Sequence, residues 1–197
     1  DPNDAEPADA QLVEGVRQFA ICMITAGTRK VKADDIDPDV YTSDISPDIS
    51  VTAAPAVKLQ ILAPNEVAEP GTPTGKSGVL IAQTAGISFD VTVNACDPYW
   101  NRNYTETRMV GVETSDLFDV EPLPANLVSG QKVFTVTLVT AGSGHSITAY
   151  DAEATPVLSS HTVSGITVNV GSPVKLQVLL PGEVAVPGSS TGKDSSG

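Results

Sequence analysis

Short stretches in which apolar and polar residues alternate run along most of the chain, and a period of two is the mark of a half-buried β-strand. Val57, Leu59 and Ile61 face one way with Lys58 and Gln60 the other, and Phe89, Val91, Val93 and Ala95 alternate with Asp90, Thr92, Asn94 and Cys96. Val110-Val112 leads a short strand that runs to Asp116, Phe134, Val136 and Leu138 alternate with Thr135, Thr137 and Val139, and Ile147-Ala149 and Ile166-Val168-Val170 complete the set. About seven short strands separated by turn residues, with no convincing helical stretch, predict an all-β fold of two antiparallel sheets packed face to face.

The pattern also repeats. Between Val57 and Lys76, fourteen of twenty positions are identical to those 117 residues later, Val174 to Lys193. Leu12-Val13-Glu14-Gly15 matches Leu127-Val128-Ser129-Gly130, and Thr25-Ala26-Gly27 matches Thr140-Ala141-Gly142, at an offset of 115. The drift between offsets implies surface loops of unequal length. A period near 117 suits a β-sandwich domain. The sequence therefore divides into 1–55, the C-terminal half of one repeat; 56–172, a complete repeat; and 173–197, the first strand and loop of the next. By this alignment Leu12–Ile24 is a strand like its twin Leu127–Val139, and the whole reads as a window from a longer array.

The order Ala85-Gly86-x-x-Phe89-x-Val91-Thr92-Val93-x-Ala95-x-Asp97-x-x-Trp100-Asn101, then Thr114-Ser115-Asp116, Leu123-Pro124-Ala125-Asn126, Phe134-x-Val136-Thr137-Leu138-x-Thr140-Ala141-Gly142 and Ile147-Thr148-Ala149-x-Asp151, resembles the bacterial Ig-like domains related to those of invasin and intimin. The resemblance spans the central repeat and part of both flanks. It implies tandem immunoglobulin-like β-sandwiches in a large cell-surface or extracellular protein, as spacer or adhesive modules. In that family the turn after the second strand often reads Asp-x-x-Gly-Asn; here Trp100 replaces the glycine.

Composition narrows the role. The 24 acidic residues against 11 basic ones give a net charge of −13, which disfavours nucleic acid or an anionic membrane surface as partner. No apolar run is long enough to span a bilayer as a helix. The expected partners are neighbouring repeats, other copies of the same chain, or surface glycans. A structural segment, forming a stiff stalk or a self-assembling fibre or layer, is the leading reading; an adhesin or carbohydrate-binding module and an accessory domain of a secreted hydrolase are the alternatives.

The candidate chemistry is sparse, and no catalytic group is expected. Gly71-Thr72-Pro73-Thr74-Gly75-Lys76-Ser77 is one residue too short for a phosphate-binding loop. Gly142-Ser143-Gly144-His145 lacks the strand-turn-helix elbow of a nucleophile. Asp35, Asp37 and Asp39, flanked by Asp34 and Asp44, form an acidic loop that could hold calcium through carboxylate oxygens or simply stay solvated. Asp35 and Asp37 correspond to Asp151 and Glu153, and the family resemblance implies that some arrays stiffen their joints with calcium. Cys22 and Cys96 fall by alternation on outward faces, as exposed thiols that could pair with each other or between chains, or stay free. Tyr99 and Trp100, on a turn at one end of the sandwich, are candidates for stacking a sugar, joining two domains or plugging the sandwich end.

Overall fold

The computed structural model describes residues 1–36 and 41–194, and no helix occurs among them. Two main sheets lie between residues 58 and 169. Their strands are β1 (Lys58–Leu62), β2 (Gln83–Thr84), β3 (Phe89–Cys96), β4 (Met109–Thr114), β5 (Ala125–Asn126), β6 (Gln131–Val136), β7 (Gly142–Asp151) and β8 (His161–Asn169). One sheet has the order β6-β3-β1 and the other β5-β4-β7-β8-β2. The sheets are not wholly antiparallel as expected: β8 and β2 run parallel, with Val168 opposite Gln83, and β1 enters beside Ser159 in the same sense.

The alternation read from the sequence delivers one shared core. Leu59, Ile61, Val91, Val93, Phe134 and Val136 come from the first sheet, and Val110, Val112, Ile147, Ala149, Val163 and Ile166 from the second. All are buried, each contributing about 1.5–3 kcal/mol relative to exposure for the larger side chains. The arrangement is sandwich-like.

The opposite face of the first sheet departs from simple alternation. Gln60 and Asn94, expected outward, are buried. They sit directly across from each other in the β1–β3 register, with Gln131 next in line on β6. Gln131 Nε2 donates to Asn94 Oδ1 at 2.9 Å, Asn94 Nδ2 to Gln60 Oε1 at 3.0 Å, and Gln60 Nε2 to the Gly75 carbonyl at 2.8 Å. The Gly75 end of this carboxamide ladder belongs to a small ribbon, Val67–Ala68 paired with Lys76–Ser77, folded over the sheet. Buried amides are tolerated here because each finds a partner.

The flanks repeat pieces of this design. Gly27 pairs with Val51 as Gly142 does with Val168, and Lys32 with Ile45 as Thr148 does with Thr162. Val184–Ala185 pairs with Lys193–Asp194 as Val67–Ala68 does with Lys76–Ser77. Even the ion pair across the ribbon recurs, Lys76–Glu66 at 2.8 Å and Lys193–Glu183 at 2.6 Å. Two expected strands are absent. Leu12–Ile24 forms only the Val13–Val16 bridge, matching Val128–Gln131, and Val174–Leu180 has no strand, with Leu176 fully exposed. Their twins β6 and β1 are both held by β3, and the 197 residues contain no second stretch matching β3 for either flank. Ribbons closed by local contacts form; strands needing a distant partner do not.

Candidate functional site

Strand β3 ends in a turn that organises one pole of the sandwich. Asp97 is 2% exposed and fully engaged. Its Oδ1 accepts the Tyr99 and Asn101 amides, both at 2.9 Å, while Oδ2 accepts the Ala54 amide at 3.1 Å and Asn101 Nδ2 at 2.9 Å. The tight closure forces Trp100 to φ +67°, the left-handed region that normally selects glycine. That is the position at which this sequence departs from the Asp-x-x-Gly-Asn pattern.

The indole supplies the compensation. Its Nε1 donates to the Pro73 carbonyl at 3.2 Å, Lys58 Nζ lies 3.4 Å from the ring centroid, and the His161 ring meets it edge-on at 5.3 Å. Gly75 lies against it so closely that a Cβ there would stand 2.2 Å from Trp100 Cγ. Trp100 is thus half-buried and clasped by the ribbon, while Tyr99 remains exposed. His161 Nδ1 accepts the Ile61 amide at 3.0 Å, which requires the neutral ring. Burial first, then the positive charge of Lys76 and of Lys58, lowers its pKa against the opposing pull of Glu66.

Asn101 carries the turn's reach to residues 24–26. It is 4% exposed; its Oδ1 accepts the Ala26 amide at 2.7 Å and its Nδ2 donates to the Ile24 carbonyl at 2.8 Å. Tyr99 accepts the Gly71 amide at 2.7 Å through its main-chain carbonyl. From the other side, Asp1 Oδ2 accepts the Ile24 and Thr25 amides at 2.8 and 2.7 Å, and Asn3 Nδ2 donates to Thr25 Oγ1 and the Pro70 carbonyl. Gly71, at φ +87°, has Thr25 Oγ1 where a Cβ would be, at 2.1 Å. Residues 1–26 and the 70–101 region are therefore interlocked, by backbone groups gripped at fixed spacing.

Part of this arrangement recurs further along. Asp116 Oδ2 accepts the Val139 and Thr140 amides, both at 2.7 Å, and its Oδ1 accepts Thr140 Oγ1 at 2.7 Å. Burial pushes the Asp116 carboxyl up, but these bonds and one from the Phe118 amide outweigh it and hold its pKa below the ordinary value. Gly188, at φ +85°, meets Thr140 Oγ1 as Gly71 meets Thr25. The sequence reading passes over Asp1 and takes Asp116 only as part of the Thr114-Ser115-Asp116 motif, yet the signal for both anchors is there: Asp1-x-x-Asp4-x-Glu6-Pro7 and Asp116-x-x-Asp119-x-Glu121-Pro122 stand 115 residues apart.

The acidic loop has a backbone role. Asp35 Oδ2 accepts the Tyr41 amide at 3.1 Å, and its counterpart Asp151 Oδ2 accepts the Val157 and Leu158 amides at 2.8 and 3.1 Å. Asp34 pairs with Lys32. Asp37 and Asp39 lie outside the described residues, and among the described residues no group of three His, Cys, Asp or Glu side chains is placed to hold a metal ion.

Both cysteines are free thiols, and the expectation of two exposed ones is corrected for Cys96, which is fully buried. Its outward face is covered because the chain folds back after the Asp97 turn, bridging Arg102 to Cys96. Burial, reinforced by the negative charge of Asp97, pushes this thiol up to about 12. In alkylation at pH 8 followed by peptide mass spectrometry, Cys22 should react within minutes and Cys96 only after denaturant is added; equal rates in native buffer would contradict the buried placement.

The chain matches no protein-family model, and none of the curated proteins matches it.

Proposed function

We propose that this chain is a structural segment of a bacterial extracellular or cell-surface repeat protein, built of tandem Ig-like β-sandwiches of about 117 residues, with 56–172 as the complete unit between parts of its two neighbours. Its task is to hold successive units at a fixed angle, as in a stalk or a fibre. One observation carries this reading: the Asn101 carboxamide grips the Ala26 amide and the Ile24 carbonyl of the preceding segment at hydrogen-bond distance. A buried two-point contact fixes orientation as well as distance, which a single bond or a flexible link does not. The short Gly171-Ser172-Pro173 link and the acidic surface fit the same role, by limiting free rotation and keeping a long protein soluble.

Small-angle scattering of the full chain tests the reading. The native chain should scatter as one rigid body, and Asn101→Ala should loosen residues 1–51 from the central unit, at a cost of about 1–3 kcal/mol for the joint. A native profile already typical of independently tumbling parts, unchanged by the substitution, would remove the proposal.

A further inference from the structure

The first joint has contacts that the second lacks, and one of these differences leaves an amide and a carbonyl open. At the first, the Ala26 amide and the Ile24 carbonyl are both taken by Asn101. Their counterparts, the Ala141 amide and the Val139 carbonyl, have no hydrogen-bond partner among the described residues. Three other features of the first joint are present there. Asp116 holds the Val139 and Thr140 amides as Asp1 holds those of Ile24 and Thr25. Gly188 sits against Thr140 as Gly71 sits against Thr25, and Gly142 opens β7 against Val168 as Gly27 pairs with Val51. Val139 and Ala141 are themselves only partly exposed.

We infer that Val139–Ala141 is a docking site for the asparagine carboxamide of an Asp-x-x-x-Asn turn on a repeat unit that follows the Gly171-Ser172-Pro173 link. The inference rests on the repeat-array reading above and adds the chemistry by which one unit selects the next. A carbonyl and an amide two residues apart ask for one donor and one acceptor on a single planar group. A carboxamide offers both at once. A carboxylate has no hydrogen to give Val139, a serine hydroxyl is too short to span both groups, and glutamine would carry its amide one methylene too far. The turn must also arrive already shaped, as Asp97 shapes the one that carries Asn101. The asparagine belongs 30 residues after the joint glycine, as Asn101 follows Gly71, so the unit that presents Gly188 is the one positioned to deliver it.

The test extends the chain with a second copy of residues 57–172 placed after Pro173 and follows amide hydrogen exchange at Ala141 by NMR. In the 197-residue chain this amide should exchange at the rate of an unbonded group. In the extended chain it should slow by about tenfold or more, to the protection expected of the Ala26 amide held by Asn101. Asn101→Ala made in the appended copy alone should restore the fast rate, and Asn101→Asp there should fail to protect. Equal Ala141 rates in the two chains, or slow exchange that survives Asn101→Ala in the appended copy, would overturn the inference. Scattering separates this from the broader reading: a rigid extended chain with an unprotected Ala141 sinks the docking site alone, whereas an extended chain of freely hinged units sinks the array as well.

Discussion

Asp97→Ala should lower the stability of the central unit by about 3–5 kcal/mol, the largest loss expected from any single polar substitution in this chain. The nearly solvent-free carboxylate accepts four hydrogen bonds, two from the amides of the exposed residues Ala54 and Tyr99 and two from the amide and side chain of buried Asn101. Alanine removes every acceptor and strands those donors, and a stranded buried donor costs more than a bond between neutral partners contributes. The effect extends past the turn, because Asn101 can grip Ala26 and Ile24 only while Asp97 holds its backbone and side chain in place. Denaturant unfolding is the measurement, with Asp97→Asn as a companion that keeps the shape but only one good acceptor and should fall between. A loss below about 1 kcal/mol for Asp97→Ala would mean that water replaces the carboxylate and the turn is not the organiser described.

Gly75→Ala should be nearly as damaging, for a reason of space. At φ +72° an L-residue pays about 1–2 kcal/mol. The new Cβ would also lie 2.2 Å from Trp100 Cγ and 2.4 Å from Cδ2. The indole cannot retreat without giving up the Pro73 carbonyl, the Lys58 ammonium or the edge of His161. Overpacking of this kind adds about 1–3 kcal/mol, for a total of about 2–5 kcal/mol. Trp100 is the only tryptophan, so its emission reports on this contact alone, and it should shift to longer wavelength as the ring is pushed toward solvent. Gly86→Ala is the control: φ is +78° there, but nothing lies within 4 Å of the added carbon, so only the backbone part of the cost should appear. Equal losses at the two glycines would show that the Trp100 contact yields without resistance.

The strands of the core were legible because Leu59, Ile61, Val91, Val93, Val110 and Val112 obey a period of two, and that period is set by the backbone itself. Gln60, Asn94 and Cys96 were not, since alternation assigns a face but cannot say whether something else covers it; the 67–77 ribbon and the Arg102 return do so. Leu12–Ile24 misled for the complementary reason. Its sequence matches a true strand, but a strand exists only with a partner, and pairing is a property of the whole fold. At the site, Trp100 drew attention as an aromatic at the end of a strand, while its neighbours Asp97 and Asn101 carry the contacts. Their role depends on amides at Ala54 and Ala26, 43 and 75 residues away, a distance no local motif spans. The Asp1 and Asp116 anchors could have been found, because the repeat that betrays them is a matter of counting.

The parallel bridge between β1 and Ser159, just ahead of β8, has a mechanical consequence. The central unit is entered at β1 and left at β8, so a pull on its two ends drags these neighbours past each other in opposite directions. The bonds between them, from the Leu59 amide to the Ser159 carbonyl and from the Ser159 amide to the Val57 carbonyl, lie across that line of force. They are strained together and must fail together, unlike the rungs of a hairpin that peel open one by one. A unit wired in this way resists extension most strongly along the axis on which a chain of such units would be stretched.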